Sequence, residues 1–301
     1  MGISHHEARA LVELYKRNGP FGRTATLGRQ DQHLAVAILQ RLLDELGVAA
    51  GLTPQGAAEH GFPSANAFLK TLGATEVVSV DCSDYEGASI VHDMNLPVPV
   101  HFRESFDLVY DGGTLEHIYN FPQAVRNCMD MLRVSGFLVA SNPANNFLGH
   151  GFYQFSPELF YRLFSPENGF RVERMLAFDC ARGGPWYEVR DPKELGRRVE
   201  LLATGCRVHL WVEARKMKQV PASQFSIPQQ SDYSSRWAKD GNSESSLPSN
   251  YELLKQALAA KGERYCPGLT EWVQGMRDRW RLRRAQQTAL GSGTGAFRKI
   301  R

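Results

Sequence analysis

The sequence is short of several features that would settle its class at once. It has five cysteines in 301 residues, Cys82, Cys128, Cys180, Cys206 and Cys266, and no CxxC pair. That leaves nothing from which to build a zinc knuckle or a disulfide framework, and reduced thiols are expected. No window approaches the roughly 20 apolar residues of a membrane span. The opening stretch, MGISHHEARALVELYKRNG, is charged throughout and lacks the apolar core of a signal peptide. Position six, where a myristoylation signal wants serine or threonine, is histidine. The net charge is only +3, too small to argue for nucleic acid. A cytoplasmic protein is expected, with neither a membrane nor a nucleic acid as partner. No G-x-G-x-x-G follows the first strand, which argues against a nicotinamide-dependent oxidoreductase.

What is present reads as an ordinary globular chain, 43% hydrophobic and 22% charged. The stretch from Phe106 to Asn142, FDLVYDGGTLEHIYNFPQAVRNCMDMLRVSGFLVASN, carries the most information. An apolar run stops at Asp111-Gly112-Gly113. A segment follows with Val125, Cys128, Met129 and Leu132 at helical spacing, then Gly136 and a second apolar run. This is a strand–helix–strand unit. Parallel strands with crossover helices hold ligands at their carboxyl ends, so the segment from Asp111 to His117 is the expected ligand loop.

Around this unit the pattern predicts helices over 7–16, 31–46, 65–72 and 156–164. The last is announced by Ser156-Pro157-Glu158: a capping serine, a first-turn proline and an acid at the positive dipole end. Strands are predicted at 23–27 (RTATL, closed by Gly28), 76–80 (EVVSV, ending at Asp81), 88–92, 170–178 and 206–214. The Gly/Ala-rich stretch 47–61 reads as a loop. With the two strands of the central unit, about seven strands result, the first five alternating with helices. The fold class is therefore α/β, a Rossmann-like doubly wound sheet of about seven strands with an antiparallel edge pair, plus a C-terminal helical extension. The expected divisions are an N-terminal helix (1–22), a core domain (23–215), a linker or arm rich in Ser, Gln and Pro (216–250), the helical extension (251–287) and a disordered tail (288–301).

Four blocks in this order, VVSVD (77–81), HDMNLP (92–97), FDLVYDGGTLEHI (106–118) and MLRVSGFLVASNP (131–143), make the chain resemble the class I S-adenosylmethionine (SAM)-dependent methyltransferases, of the methyltransferase type 11-like kind. The resemblance spans about Arg23 to Arg215. It implies SAM as cofactor, with Asp81 on the ribose hydroxyls, Asp93 on the adenine amine, and Asp111, Glu116 and His117 in the loop flanking the methyl-transfer site, Gly112 being a further cofactor-binding candidate there. The family's glycine-rich turn after the first strand is reduced here to LGRQDQH (27–33). Gly28, Arg29 and Gln30 then stand where backbone contacts are usual. Chemistry supports the assignment. Vicinal hydroxyls suit a carboxylate acceptor, the adenine amine is a donor, and a sulfonium tolerates an acidic, aromatic pocket.

The stretch 145–155, NNFLGHGFYQF, is expected to cover the substrate. Histidine titrates near neutrality, so His150 is the candidate general base; the other reading makes it part of a tight turn. Asp111 and Tyr153 complete the catalytic candidates, and His117 is read as a packing residue. No metal site is expected. His5, His6 and Glu7 are read as a solvated N-terminus. Arg277, Arg279, Arg281, Arg283 and Arg284, with Trp272 and Trp280, read as a solvated face over buried tryptophans or as a contact for an anionic partner. The expected function is methyl transfer to an oxygen or nitrogen of a small-molecule or sugar-containing (glycan-type) acceptor by a chain that can form a homo-oligomer. The alternative is a non-catalytic scaffold with the same fold, motivated by the reduced glycine turn.

Overall fold

In the computed structural model, residues 2–234 are described apart from 50, 182, 197 and 200–205, together with 276 and 297–300. The helical extension at 251–287 apart from 276, its arginines, and residues 235–250 of the linker lie outside the described residues.

The chain opens with β1 (Gly2–Ile3) and α1 (His5–Asn18). Ser4 caps α1 in a capping box with Glu7, and Lys16 and Arg17 complement its last turn. Then come β2 (Gly22–Leu27), β3 (Asp31–Gln32), α2 (Val36–Glu45), α3 (Pro54–Glu59), α4 (Asn66–Thr71), β4 (Ala74–Asp81) and β5 (Ile90–Val91). The expected helix from residue 31 begins only at Val36, because Asp31 and Gln32 pair in parallel with Gly2 and Ile3. The expected 47–61 loop contains α3, whose first turn is fixed by the Thr53 hydroxyl accepting from Gly56 N at 3.1 Å and by Pro54. That signal was legible, and the glycine-rich composition outweighed it.

The central unit follows as β6 (Phe106–Asp111), α5 (Phe121–Met131) and β7 (Leu132–Asn145). Lys216, 2% exposed, donates Nζ to the carbonyls of Met129 (3.0 Å) and Leu132 (2.6 Å) and so caps the end of α5. Next are α6 (Pro157–Leu163), β8 (Phe170–Asp179), β9 (Trp186–Val189), α7 (Pro192–Leu195), β10 (Val208–Lys216) and β11 (Phe297–Lys299).

Nine strands form one sheet in the order β11-β9-β8-β10-β7-β6-β2-β4-β5. From β5 to β7 all pairs are parallel; β10 pairs antiparallel with both β7 and β8, and β9 and β11 continue antiparallel. This is a Rossmann-like, doubly wound α/β sheet. The sheet has the expected antiparallel edge, widened from a pair to four strands because β9 and β11 extend it beyond β8 and β10. Part of the tail expected to be disordered supplies β11, paired with β9. Four- and three-residue strands carry too little periodicity to be read from sequence.

Side chains alternate across the sheet. Val109, Leu138, Leu210 and Val212 join one core with α5 and α6; Leu108, Tyr110, Val139 and Trp211 join the other with α1, α2 and α4. Trp211 is fully buried, and its Nε1 donates to Glu213 Oε1 at 2.9 Å. Trp211→Ala is expected to cost about 3–5 kcal/mol, read as a lowered urea midpoint at unchanged m-value. A loss under about 1 kcal/mol would show that the second core does not depend on this ring.

Candidate functional site

The chain builds β2, β4 and β5 outward on one side, then returns to lay β6 and β7 on the other side of β2. At such a reversal the loops leaving neighbouring strands diverge, opening a crevice at the carboxyl ends of β2 and β6. Gly28 leaves β2 with φ of 66° and its N donates to Val80 O at 2.7 Å. Arg29 reaches Asp31 Oδ1 (3.3 Å) and Glu86 O (3.3 Å). Gln30 is buried; its Nε2 donates to Leu27 O at 2.6 Å, while its Oε1 is buried with no hydrogen-bond partner. Gly112 lies across from it: a Cβ there would sit 2.3 Å from Gln30 Oε1, so only glycine allows this approach.

Asp81 ends β4 half-buried. The Cys82 thiol bonds to it, which raises the thiol's pKa. Asp93 is exposed and its Oδ1 accepts from the N (2.9 Å) and Nδ2 (2.7 Å) of Asn95. Those bonds hold its carboxyl below the usual range. Asp93 thus closes a turn through Oδ1, with its second oxygen outside these bonds.

Asp111 is 1% exposed. Its Oδ1 accepts from Thr114 N (2.7 Å) and Leu115 N (3.3 Å), and its Oδ2 from Asn142 Nδ2 (2.6 Å). The same amide nitrogen donates to Glu116 Oε2 at 3.0 Å. Asp111 therefore shapes the loop from inside rather than facing a ligand. Burial drives both carboxyls upward. Asn142 and backbone bonds limit Asp111 to about 6, while the nearby Asp111 charge adds to the effect of burial and takes Glu116 to about 8. At neutral pH the pair keeps a proton that either acid alone in water would release.

Beside this pair a pocket of about 320 Å³ opens. The loop after β6 contributes Gly113, Glu116 and His117, and the loop after β7 contributes Phe147 and His150. The far wall comes from α1, with Ser4 and Glu7, and from His209 at the start of β10. The 147–152 loop is stapled to the β6 loop: Phe152 N donates to Glu116 O at 2.7 Å, and Gly151 (φ 70°) lies so close that a Cβ would meet Glu116 O at 2.8 Å. This sets His150 Nε2 3.6 Å from Glu116 Oε1. The His117 and His150 rings lie 5.0 Å apart, and burial first, then the charge of His150, lowers the pKa of His117.

The N-terminal reading is overturned. His6 is 3% and Glu7 4% exposed. The His6 ring bridges Trp186 Nε1, which donates to its Nδ1 (2.7 Å), and Ala181 O (2.8 Å from Nε2). Glu7 Oε1 accepts from Ser141 Oγ at 2.9 Å and lies 3.7 Å from His209 Nδ1. Burial opposes its charge, but His209 and Ser4 outweigh burial and bring Glu7 down to about 2. Tyr153 points elsewhere. Its hydroxyl donates to Tyr119 O at 2.6 Å and its ring packs against Phe121 and Phe155. Glu7 and His209 were missed. The Ser4-x-x-Glu7 box was legible as a helix start, but nothing local marks the carboxylate's reach to a histidine some 200 residues away.

No protein-family model matches the chain, and no curated protein does. Among solved structures, the YcgJ protein from Bacillus subtilis is 11% identical over 71% of this chain and 100% of its own, with a TM-score of 0.38. A putative S-adenosylmethionine-dependent methyltransferase from Listeria monocytogenes is 13% identical over 70% of this chain and 99% of its own (TM-score 0.40). The N-methyltransferase NodS from Bradyrhizobium japonicum is 12% identical over 71% and 96% (TM-score 0.39). At this level of likeness, function has to be read from the chain's own residues.

The buried carboxyls predict the pH dependence of stability. Unfolded, Asp111 and Glu116 titrate near 3.8 and 4.5; folded, they sit at about 6 and 8. The folded state thus keeps protons that the unfolded chain has lost, and stability falls as pH rises through that window. Glu7 works oppositely: its contribution is complete above 4.5 and is lost as pH falls toward 2. From these three groups thermal stability is expected to peak at about pH 4, where the gain from Glu7 is nearly complete and the loss from Asp111 and Glu116 begins. Glu116→Gln should flatten the fall toward pH 8. A wild-type Tm that rises from pH 5 to 8 would contradict this assignment of protons.

Proposed function

We propose that the chain transfers the methyl group of S-adenosylmethionine to a hydroxyl or amine of a small, polar, sugar-like acceptor. The observation that carries the reading is the reversal of strand order at β2, beside which Gln30 Oε1 is buried without a partner next to Gly112, itself part of the pocket lining. SAM offers that edge hydrogen-bond donors: two ribose hydroxyls, an adenine amine and an α-ammonium group. The chain offers acceptors, and the orphaned Gln30 Oε1 is one whose burial goes uncompensated until a donor arrives. Asp81 would hold the ribose, Asp93 the adenine amine and Gln30 the ammonium, with Gly28, Arg29 and Gly112 shaping the crevice. Bound there, the cofactor supplies an electrophilic methyl group on a sulfonium.

The remaining steps belong to the protein's own residues. The pocket volume, about 320 Å³, is at the small end of ligand clefts, which suits a small molecule. Its imidazoles and carboxyls suit a hydroxylated or amino-bearing one. His209 is the base. Its ring lies tilted against Phe147 with centroids 4.8 Å apart, and Nδ1 lies 3.3 Å from Ser141 Oγ and 3.7 Å from the Glu7 carboxylate, a setting that favours the proton on Nδ1 and leaves Nε2 to accept one from substrate. Glu7 is a positioning residue, acting through His209. His150, the base expected from sequence, enters the pocket from the opposite wall beside Glu116. Holding acceptor and methyl donor in line supplies much of the remaining acceleration.

Asp81→Ala should weaken SAM binding by about 1.5–3 kcal/mol, measured by calorimetry on protein whose melt is unchanged. Unaltered affinity would remove Asp81 from the site. With an acceptor found by screening hydroxyl and amine compounds for release of S-adenosylhomocysteine, His209→Gln should lower kcat by roughly 10²-fold or more at little change in cofactor affinity. Glu7→Gln should lower kcat less and displace the pH–rate profile. Wild-type kcat in His209→Gln would overturn its role as base. A chain that binds no cofactor and releases no S-adenosylhomocysteine would be the scaffold of the alternative reading.

A further inference from the structure

Glu116, His117 and His150 line one pocket, each offers a ligand-type atom, and those atoms all lie within 4.8 Å of one another. We propose that these three side chains form a binding site for a divalent transition-metal ion of the zinc type, with an open coordination position facing the pocket. The inference goes beyond methyl transfer and does not depend on it.

The donor set identifies the class of ion. Magnesium and calcium favour all-oxygen shells, whereas one carboxylate with two imidazoles suits zinc, cobalt and manganese. Two histidines and a glutamate also form a known kind of open zinc site, in which the fourth position takes water or substrate. The distances fit. Tetrahedral zinc with bonds of about 2.1 Å needs ligand atoms about 3.4 Å apart, and Glu116 Oε1 is 3.6 Å from His150 Nε2. His117 has an exposed side chain free to swing in by the remaining distance.

The surroundings are built for the purpose. The Glu116 side chain is 1% exposed, and among the described residues its ion-pair partner is His150 alone. Asn142 holds Oε2 at 3.0 Å, which orients the carboxylate and leaves Oε1 toward the imidazoles. Such an orienting partner behind a ligand is a recurrent part of metal sites. Phe152 N and Tyr153 N both donate to Glu116 O, at 2.7 and 3.3 Å, and His150 N donates to Phe147 O at 2.9 Å. Those bonds fix the loop that carries His150 directly over the buried acid. A turn that merely needed a polar residue at its tip would not require a second histidine and a buried carboxylate below it. Phe147 and His209 line the same pocket, where an oxygen or nitrogen of a bound ligand would complete the shell.

The test uses the full chain after chelation and dialysis, titrated with cobalt(II) as a coloured stand-in and then with zinc(II). One equivalent of cobalt should bind with visible d–d absorption, and zinc should bleach it. His117→Ala and His150→Ala, both at exposed side chains and checked by circular dichroism, should each weaken cobalt binding more than about tenfold. Glu116→Gln should abolish the absorption, and His60→Ala, outside the pocket, should leave it unchanged. Absence of stoichiometric binding, or equal binding by the histidine variants and the wild type, would overturn the site. Titrating metal-free protein with S-adenosylhomocysteine reports separately on the cofactor crevice, so either reading can fail alone.

Discussion

Everything at the functional edge depends on β2 pairing in parallel with both β4 and β6. Parallel pairing sends the carboxyl ends of five strands to one edge, and the reversal at β2 splits the loops that leave it. The antiparallel β10 then brings its first residues back to that edge, because its strand runs opposite to β7. His209 pairs with Pro143, three residues before Asn146 and the loop carrying His150. Three segments distant in sequence, the N-terminus of α1, the β6 loop and the start of β10, therefore meet without any long loop having to reach across.

Buried carboxyls of opposite character face each other across this edge. Glu7 is stabilised as an anion by Ser4, Ser141 and His209. Glu116 is buried beside Asp111 and keeps a proton at neutral pH. The difference comes from partners, since both groups are almost fully buried: Glu7 has hydroxyls and an imidazole, while Glu116 shares one amide with another acid. A site that holds a fixed negative charge on one wall and a carboxyl that a cation would readily ionise on the other can orient a base and hold a positive ion in the same cavity.

Much of the scaffold was legible in the sequence because its strands are long enough to show a period. RTATL is a β-prone run closed by Gly28, EVVSV, FDLVY and GFLVAS are largely apolar runs, and the structure places strands over all four. Ser156-Pro157 announced α6 by capping chemistry. What stayed hidden is short or non-local. Asp31–Gln32 looked helical because the leucines that follow set a period that says nothing about where it begins. Trp186–Val189 is too short to show alternation. At the site, Asp81 and Asp93 were legible as strand-end acids, whereas the burial of Glu7 and the meeting of Glu116, His117 and His150 arise from tertiary contacts that no local pattern encodes. Tyr153 read as a site residue because it stands in an aromatic loop, but its hydroxyl is spent on a backbone carbonyl.

The most direct measurement is a calorimetric titration of the folded chain with S-adenosylhomocysteine, paired with hydrogen exchange at the loops following β2 and β6. The account predicts micromolar affinity, about −8 kcal/mol, with slowed exchange at 27–30 and 111–114. Absence of binding by protein shown to be folded, or binding that leaves both loops unprotected, would contradict it.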